Sequence, residues 1–390
     1  MTSFIMPTYN RKPVTFVKGE GVYLYDSNGK KYLDALCGLA VTSLGHSNKR
    51  LAKIISQQSE LLIHTSNAFV IDPQEILAKR LCQLTGMENV FFCNSGAESV
   101  EAAIKIARKY GHKKNYDIPK IVVMTNSFHG RTMGAMSATG NINSHNMFGP
   151  VIDGLIRIQF NEIEAFKEVV SKNSDIAAVL LETVQGEGGI VSCSNEYLEK
   201  LRDICNEKEI LLMVDEVQSG FCRTGKWFSY QHSNIIPDVV MVAKALGNGV
   251  PIGACLARDE AARVLQAGMH GSTFGGNHLS TSVGLEILDI MKEEKICSHV
   301  KTMSDFLNTE LHSKLSKFKS VVEIRVYGFM IGIELKTNCT DLAIKALEKG
   351  LVINVTKEKI IRLLPPLICN KENLLEISDI IEQLIAENYE

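Results

Sequence analysis

The sequence predicts an α/β fold: a mostly parallel sheet covered by helices on both faces, with a smaller α+β domain. Three observations point to it. From about residue 50 to 290, short and almost wholly apolar runs alternate with amphipathic stretches. Strands that are apolar along their whole length belong to parallel sheets buried on both faces. Residues 14–42 instead alternate apolar and polar around two glycine turns, the pattern of a short antiparallel meander. The final hundred residues return to a long helix followed by mixed strands and helices.

In chain order, NVFFCN (89–94) is the first buried strand, and AESVEAAIKIARKY after it repeats apolar residues at three and four, as a helix does. IVVMT (121–125), AAVLLE (177–182), ILLMVD (210–215), DVVMVA (238–243) and GACLA (253–257) are further strands. A helix over 297–318 opens the last region, and VVEIRVYGFMIGIEL follows with a closing stretch of helices and strands. The expected division is residues 1–55 and 295–390 in the small domain, contributed by the two termini, and 56–294 in the large one. No repeat, low-complexity tract or charged linker interrupts the chain.

Composition narrows the function. The 390 residues are 45% apolar and 22% charged, with a net charge of −2. That balance gives no reason to expect nucleic acid or an anionic membrane surface as a partner. No apolar run approaches the roughly 18 residues needed to span a bilayer, and MTSFIMPTYNRKP lacks the features of a signal peptide. Ten cysteines occur without a C-x-x-C pair, which argues against structural zinc and a disulfide framework. They read as reduced, mostly buried thiols of a cytoplasmic protein.

The residues that carry chemistry sit at strand ends. In PDVVMVAKALGNGVPIGA (237–254) the run Val239–Val242 delivers Lys244 into a glycine-rich bend. Burial would lower its pKa and leave a neutral amine able to attack a carbonyl. The plain alternative is a surface lysine after a strand. LLMVDEVQ (211–218) delivers Asp215 in the same way, and the pair suggests a pyridoxal phosphate site. The lysine would form a Schiff base and the aspartate would pair with the pyridinium nitrogen. Gln218 could hydrogen-bond the ring's phenolic oxygen, and Val217 could pack on the ring face opposite Phe128.

Asn94-Ser95-Gly96-Ala97-Glu98 opens a helix after a strand, an anion cradle or an ordinary Ser95 N-cap. Phe128-His129-Gly130-Arg131 could stack on a flat cofactor and bind a carboxylate, or be a loop with a surface arginine. Glu182 and Glu187 in LLETVQGEGG suit acid–base work or a charge partner for an arginine, against the alternative of a solvated acidic loop. Ser272 and Thr273 stand in a second glycine loop able to touch phosphate. Gly220–Lys226 (GFCRTGK) mimics a P-loop, with Asp215-Glu216 as its metal-binding acid. It fails at Trp227, where the motif needs Ser or Thr.

Together these segments resemble the class III pyridoxal-phosphate-dependent aminotransferases, and within them the acetylornithine aminotransferases. The likeness runs end to end: PTYNR (7–11), GVYLYD..GKKYLDAL (21–36), LGH (44–46), HTSN (64–67), NSGAE (94–98), FHGRT (128–132), QGEGG (185–189), LLMVDEVQSGFCRTGK (211–226), AKALGNGVPIGA (243–254), HGSTFGGN (270–277) and RLLPPL (362–367). It implies fold type I, with a seven-stranded-type sheet in the large domain. It implies Lys244 as cofactor-bearing lysine and proton shuttle, with Asp215, Glu216, Val217, Gln218, Phe128, Ser95, Gly96 and Ala97 around the cofactor. Thr273 would reach the phosphate of the other subunit with Ser272 beside it, so a homodimer with shared sites is implied. Arg131 and Tyr9 would meet substrate, and Glu187 would mask Arg362 until a dicarboxylate arrives. The implied reaction is ping-pong transfer of the δ-amino group of acetylornithine to 2-oxoglutarate. Ornithine, succinylornithine, succinyldiaminopimelate and 4-aminobutyrate are alternative donors, and a cofactor-binding protein without turnover is the alternative from another class. Phe69, Cys222, Asn248, His278 and Asn48 depart from the family pattern.

Overall fold

The computed structural model describes residues 4–140 and 142–390; residues 1–3, the start of the segment weighed as a signal peptide, lie outside it. Strands β1 (Phe16–Glu20), β2 (Tyr23–Asp26) and β3 (Lys31–Asp34) form the antiparallel meander. Its glycine turns use Gly21 and Gly29, both left-handed at φ +57 and +79.

The main sheet begins with β4 (Asn89–Cys93), β5 (Lys120–Met124), β6 (Leu155–Ile158) and β7 (Ile176–Glu182). A small hairpin of β8 (Val184–Gln185) and β9 (Val191–Ser192) precedes β10 (Leu211–Asp215), β11 (Val239–Val242) and β12 (Gly253–Ala257). The seven-stranded order is β4-β12-β11-β10-β7-β5-β6. Every pairing is parallel except those of β12, which is antiparallel to both neighbours. The β11–β12 link is short and carries one 3-10 turn, Lys244–Leu246. A parallel return needs a crossover of a dozen or more residues.

Alternation along the strands separates two cores. Val122, Val179, Leu212 and Val240 enter one cluster, while Ile121, Leu180, Met213 and Met241 enter the other. Helices therefore cover both faces, as the apolar runs predicted. The sequence reading omitted β6: it is an edge strand, mostly half-buried and carrying Arg157, so no apolar run marks it.

In the C-terminal region, helix Ile296–Leu315 leads to β13 (Val321–Tyr327) and β14 (Met330–Leu335), then to β15 (Leu351–Val352), β16 (Asn354–Thr356) and β17 (Ile360–Leu363). These make a sheet in the order β13-β14-β17-β16, while β15 pairs in parallel with β3 and joins the two ends of the chain.

One expectation is corrected. Cys222 and Cys297, 75 residues apart, form a disulfide, and the other eight cysteines are free. Nothing in local spacing announces this pair; tertiary packing sets the turn after β10 against the start of helix Ile296–Leu315.

Candidate active site

Parallel pairing aligns the carboxyl ends of the strands, and loops leaving those ends converge on one crevice. Asp215 ends β10 in register with Glu182, the last residue of β7, and with Met241 on β11, three residues before Lys244. Asn94–Ala97 follow β4, and Phe128–Arg131 follow β5. A cavity of about 400 Å³ lies among them.

Lys244 lines this cavity in the left-handed region at φ +46, a conformation that a β-carbon makes costly by about 1–2 kcal/mol. Burial lowers its amine pKa, with Arg362 acting in the same direction; Asp215, Glu187 and Glu182 oppose. Asp215 is 5% exposed. One carboxylate oxygen accepts from Val217 N–H at 3.0 Å and the other meets His129 Nδ1 at 2.8 Å. His129 is fully buried and its Nε2 has no partner. The sequence reading quoted His129 within a motif and gave it no role. Its contact with Asp215 spans 86 positions and leaves no local signal.

Glu182 is buried with its carboxylate accepting from Phe128 N–H at 2.9 Å. Burial pushes its pKa up to about 7, Asp215 adding to the shift and His129 opposing it. Val217, Phe128 and Gln218 line the cavity. The Gln218 amide oxygen is buried and unpartnered, an end that a bound polar group would satisfy. Arg131 also lines it, its guanidinium carbon 5.6 Å from the Phe128 ring centre.

Ser95 caps helix Gly96–Lys113 by accepting from Glu98 N–H at 3.2 Å, so the ordinary cap is present. The N–H groups of Gly96 and Ala97, in the first turn, stay available at the cavity wall. Close fit makes Gly96 necessary: a β-carbon there would stand 2.7 Å from Val217 Cγ1.

Glu187 lines the cavity from the β8–β9 loop and meets Arg362, 1% exposed on β17, at 2.7 Å. The approach is electrostatic, since that Arg362 nitrogen makes no hydrogen bond of good geometry. Arg362 Nε donates to Asn354 Oδ1 at 2.8 Å, and Thr356 donates to the Glu187 carbonyl at 2.8 Å.

Three sequence-predicted residues stand elsewhere. Glu216 does not touch the cavity: it is wholly buried on the opposite side of Asp215, accepting from Ser219 Oγ at 2.6 Å and Tyr230 N–H at 2.9 Å. Period-two alternation at a strand end gives the reason. Tyr9 is 76% exposed and outside the cavity lining. Thr273 is exposed and does not line the cavity of its own chain, while Ser272 beside it accepts from Asn94 Nδ2 at 3.2 Å.

The class-III aminotransferase family model matches residues 5–385. The chain belongs to the class-III aminotransferases. Acetylornithine aminotransferase of Nitrosomonas europaea is 48% identical to it over 98% of each chain. Among solved structures, ornithine aminotransferase of Toxoplasma gondii, with pyridoxal phosphate at partial occupancy in its active site, superposes with a TM-score of 0.94. That pair is 32% identical, covering 98% of this chain and 92% of the other. Acetylornithine aminotransferase of Elizabethkingia anophelis gives a TM-score of 0.87 at 33% identity, covering 98% and 96%. This class-III aminotransferase uses pyridoxal phosphate, and the anion cradle, the strand-end lysine and aspartate and the unpartnered Gln218 amide fit that cofactor. Among the described residues no group of His, Cys, Asp and Glu could hold a metal ion, and no helix is long and apolar enough to cross a membrane.

Proposed function

We propose that the protein transfers the δ-amino group of N2-acetyl-L-ornithine to 2-oxoglutarate, giving N-acetyl-L-glutamate 5-semialdehyde and L-glutamate in arginine biosynthesis. The observation that carries this reading is two arginines held differently: one on the cavity wall, the other behind Glu187, which lines that wall. Arg131 stands open on the wall, and Arg362 is withheld by Glu187. The donor brings one carboxylate and a neutral acyl group, whereas the acceptor brings two carboxylates. A second cationic site that is hidden for one and released for the other serves both in turn. The acetylornithine aminotransferase relatives support the same donor.

Bound pyridoxal phosphate supplies the carbonyl that takes the amino group and a ring that accepts the electron pair freed at the reacting carbon. Lys244 holds the cofactor and moves the proton, its lowered pKa keeping a neutral amine accessible. Asp215, fixed by Val217 N–H and His129, keeps the ring nitrogen protonated. Gly96 and Ala97 hold the phosphate, and Val217 and Phe128 flank the ring.

A homodimer with shared sites belongs to this reading. Phe69, Val70 and Phe274 are 70%, 78% and 61% exposed. They lie on segments joined by Asn67 Nδ2 donating to the Ser272 and Gly275 carbonyls, next to the cradle that Ser272 touches. A partner seated on this apolar face would lie beside the phosphate site.

Steady-state rates with acetylornithine, ornithine, succinylornithine, succinyldiaminopimelate and 4-aminobutyrate test the choice. Acetylornithine should have the highest kcat/KM. A preference for free ornithine of about tenfold or more would overturn it.

A further inference from the structure

Helix Gly96–Lys113 does more than offer its first turn to phosphate. Ala97 and Glu101 stand about one helical turn apart on it and so share a face. That face carries the chain on both sides of Arg131. On one side, Gly130 packs so closely that a β-carbon there would stand 2.8 Å from Ala97 Cβ. On the other, Glu101 Oε1 accepts three hydrogen bonds, from Thr132 Oγ1 at 2.5 Å, Gly134 N–H at 3.0 Å and Ala135 N–H at 3.1 Å.

These bonds replace a local cap. Thr132 is the N-cap of the short helix Met133–Ala138, yet its side chain makes no capping bond there. First-turn N–H groups of a helix have no partner within it. Here they are met by a carboxylate 33 and 34 positions earlier in the chain. Bonds to an ionised acceptor are the stronger kind. Arg131, between the two anchors, is exposed at the cavity wall. Among the described residues its guanidinium makes no ion pair or hydrogen bond, and it rests near the Phe128 ring. Its placement therefore depends on the backbone that Ala97 and Glu101 hold.

We propose that Glu101 is a positioning residue for the amine donor. Through Thr132, Gly134 and Ala135 it fixes Arg131 relative to the phosphate cradle. One helix face thus sets the span between the cofactor's phosphate and the donor's carboxylate. Glu101 itself stands outside the cavity lining and acts through Arg131. Small displacements of a positioned group are costly, which gives this brace its leverage. The inference rests on the transaminase reading above, in which Arg131 takes the donor's carboxylate. It does not depend on which donor is preferred, because every donor in that panel bears a carboxylate.

The test compares kcat and KM for the preferred donor in Glu101→Ala, Glu101→Gln and Gly134→Ala. The last variant reaches the same contact from the other side. Gly134 lies outside the left-handed region, and alanine suits a helix. Its β-carbon would stand 2.5 Å from Glu101 Oε2 and 2.8 Å from Oε1, so the carboxylate must swing away. The expected result is a KM raised about tenfold or more in both alanine variants, with kcat changed less than about threefold. Glu101→Gln should recover most of the loss, because its amide oxygen still accepts. Cofactor affinity, read by spectroscopic titration, should hold within about twofold. Adding Glu101→Ala to Arg131→Met should lower kcat/KM by less than about twofold beyond Arg131→Met alone, since the two act in series. Unchanged KM in both alanine variants, or the full loss repeated in the Arg131→Met background, would overturn the role. So would a fall in cofactor affinity in step with KM, which would make Glu101 a strut of the cradle helix. A panel won by ornithine would overturn the acetylornithine assignment and leave this comparison in force.

Discussion

At the scale of single residues, the chemistry depends on groups held where they would not rest alone. Lys244 sits at φ +46 with its amine pKa lowered by burial. Replacement by alanine should cut transamination by roughly 10²–10⁴-fold or more and remove the yellow colour of the lysine-linked cofactor. Residual turnover near the wild-type rate would exclude its assigned role. Glu187→Ala should leave the buried Arg362 charge unmasked and lower the KM for glutamate about tenfold, at the expense of acetylornithine. An unchanged donor preference would remove the switch.

Glu182 gives a pH signature. Its pKa rises from 4.5 to about 7, so the folded chain binds this proton more tightly than the unfolded chain. The resulting stabilisation is complete below the unfolded value and is lost as pH climbs through the folded one. Compared with Glu182→Gln, the melting-temperature advantage of wild type should shrink between pH 4.5 and 7. A constant difference would contradict it. Lys244 and Asp215 were legible in the sequence because strand ends mark them, whereas the pairing of Glu187 with Arg362 came only from the family resemblance. His129 was not legible, because only the parallel register of β5, β7 and β10 brings it to Asp215. Glu216, which the resemblance put beside the cofactor, turns instead to Ser219 and Tyr230.

At the scale of elements, loops gathered at one edge of a parallel sheet make the crevice, and close contacts set their spacing. Gly96→Ala would push Val217 from the cradle wall, an overpacking cost of about 1–3 kcal/mol. Cofactor affinity should fall about tenfold or more in a spectroscopic titration, and unchanged affinity would mean that the wall yields freely. Departures from the family pattern have local reasons here. Asn248, left-handed at φ +46, accepts from Leu44 N–H at 2.7 Å and donates to the Gly45 carbonyl at 3.2 Å. Asn tolerates that conformation better than most residues. Asn48 caps helix Lys49–Leu61, accepting from Arg50 and Leu51 N–H. Cys222 is left-handed at φ +66 and bonded to Cys297. The buried strands were readable because they are apolar end to end. The antiparallel sense of β12 and the existence of β6 were not, because direction and edge position are properties of the assembled sheet.

At the scale of the molecule, the proposed dimer completes the phosphate site with Thr273 of the partner subunit. Thr273→Asp should repel phosphate, and Lys244→Ala removes the amine. Mixed after gentle dissociation, these two inactive variants should regain part of the activity, because each hybrid holds one intact site. No recovery in demonstrated hybrids would place Thr273 outside the partner's site. The proposed subunit sharing comes from the family resemblance, and the exposed apolar face at Phe69, Val70 and Phe274 is the surface a partner would cover. The transfer of an amino group from acetylornithine to 2-oxoglutarate is tested most directly by the absorbance spectrum of the purified protein through both half-reactions. A yellow band that collapses on adding N2-acetyl-L-ornithine and returns with 2-oxoglutarate is the expected result. A yellow protein whose spectrum ignores acetylornithine while responding to another amine would contradict it.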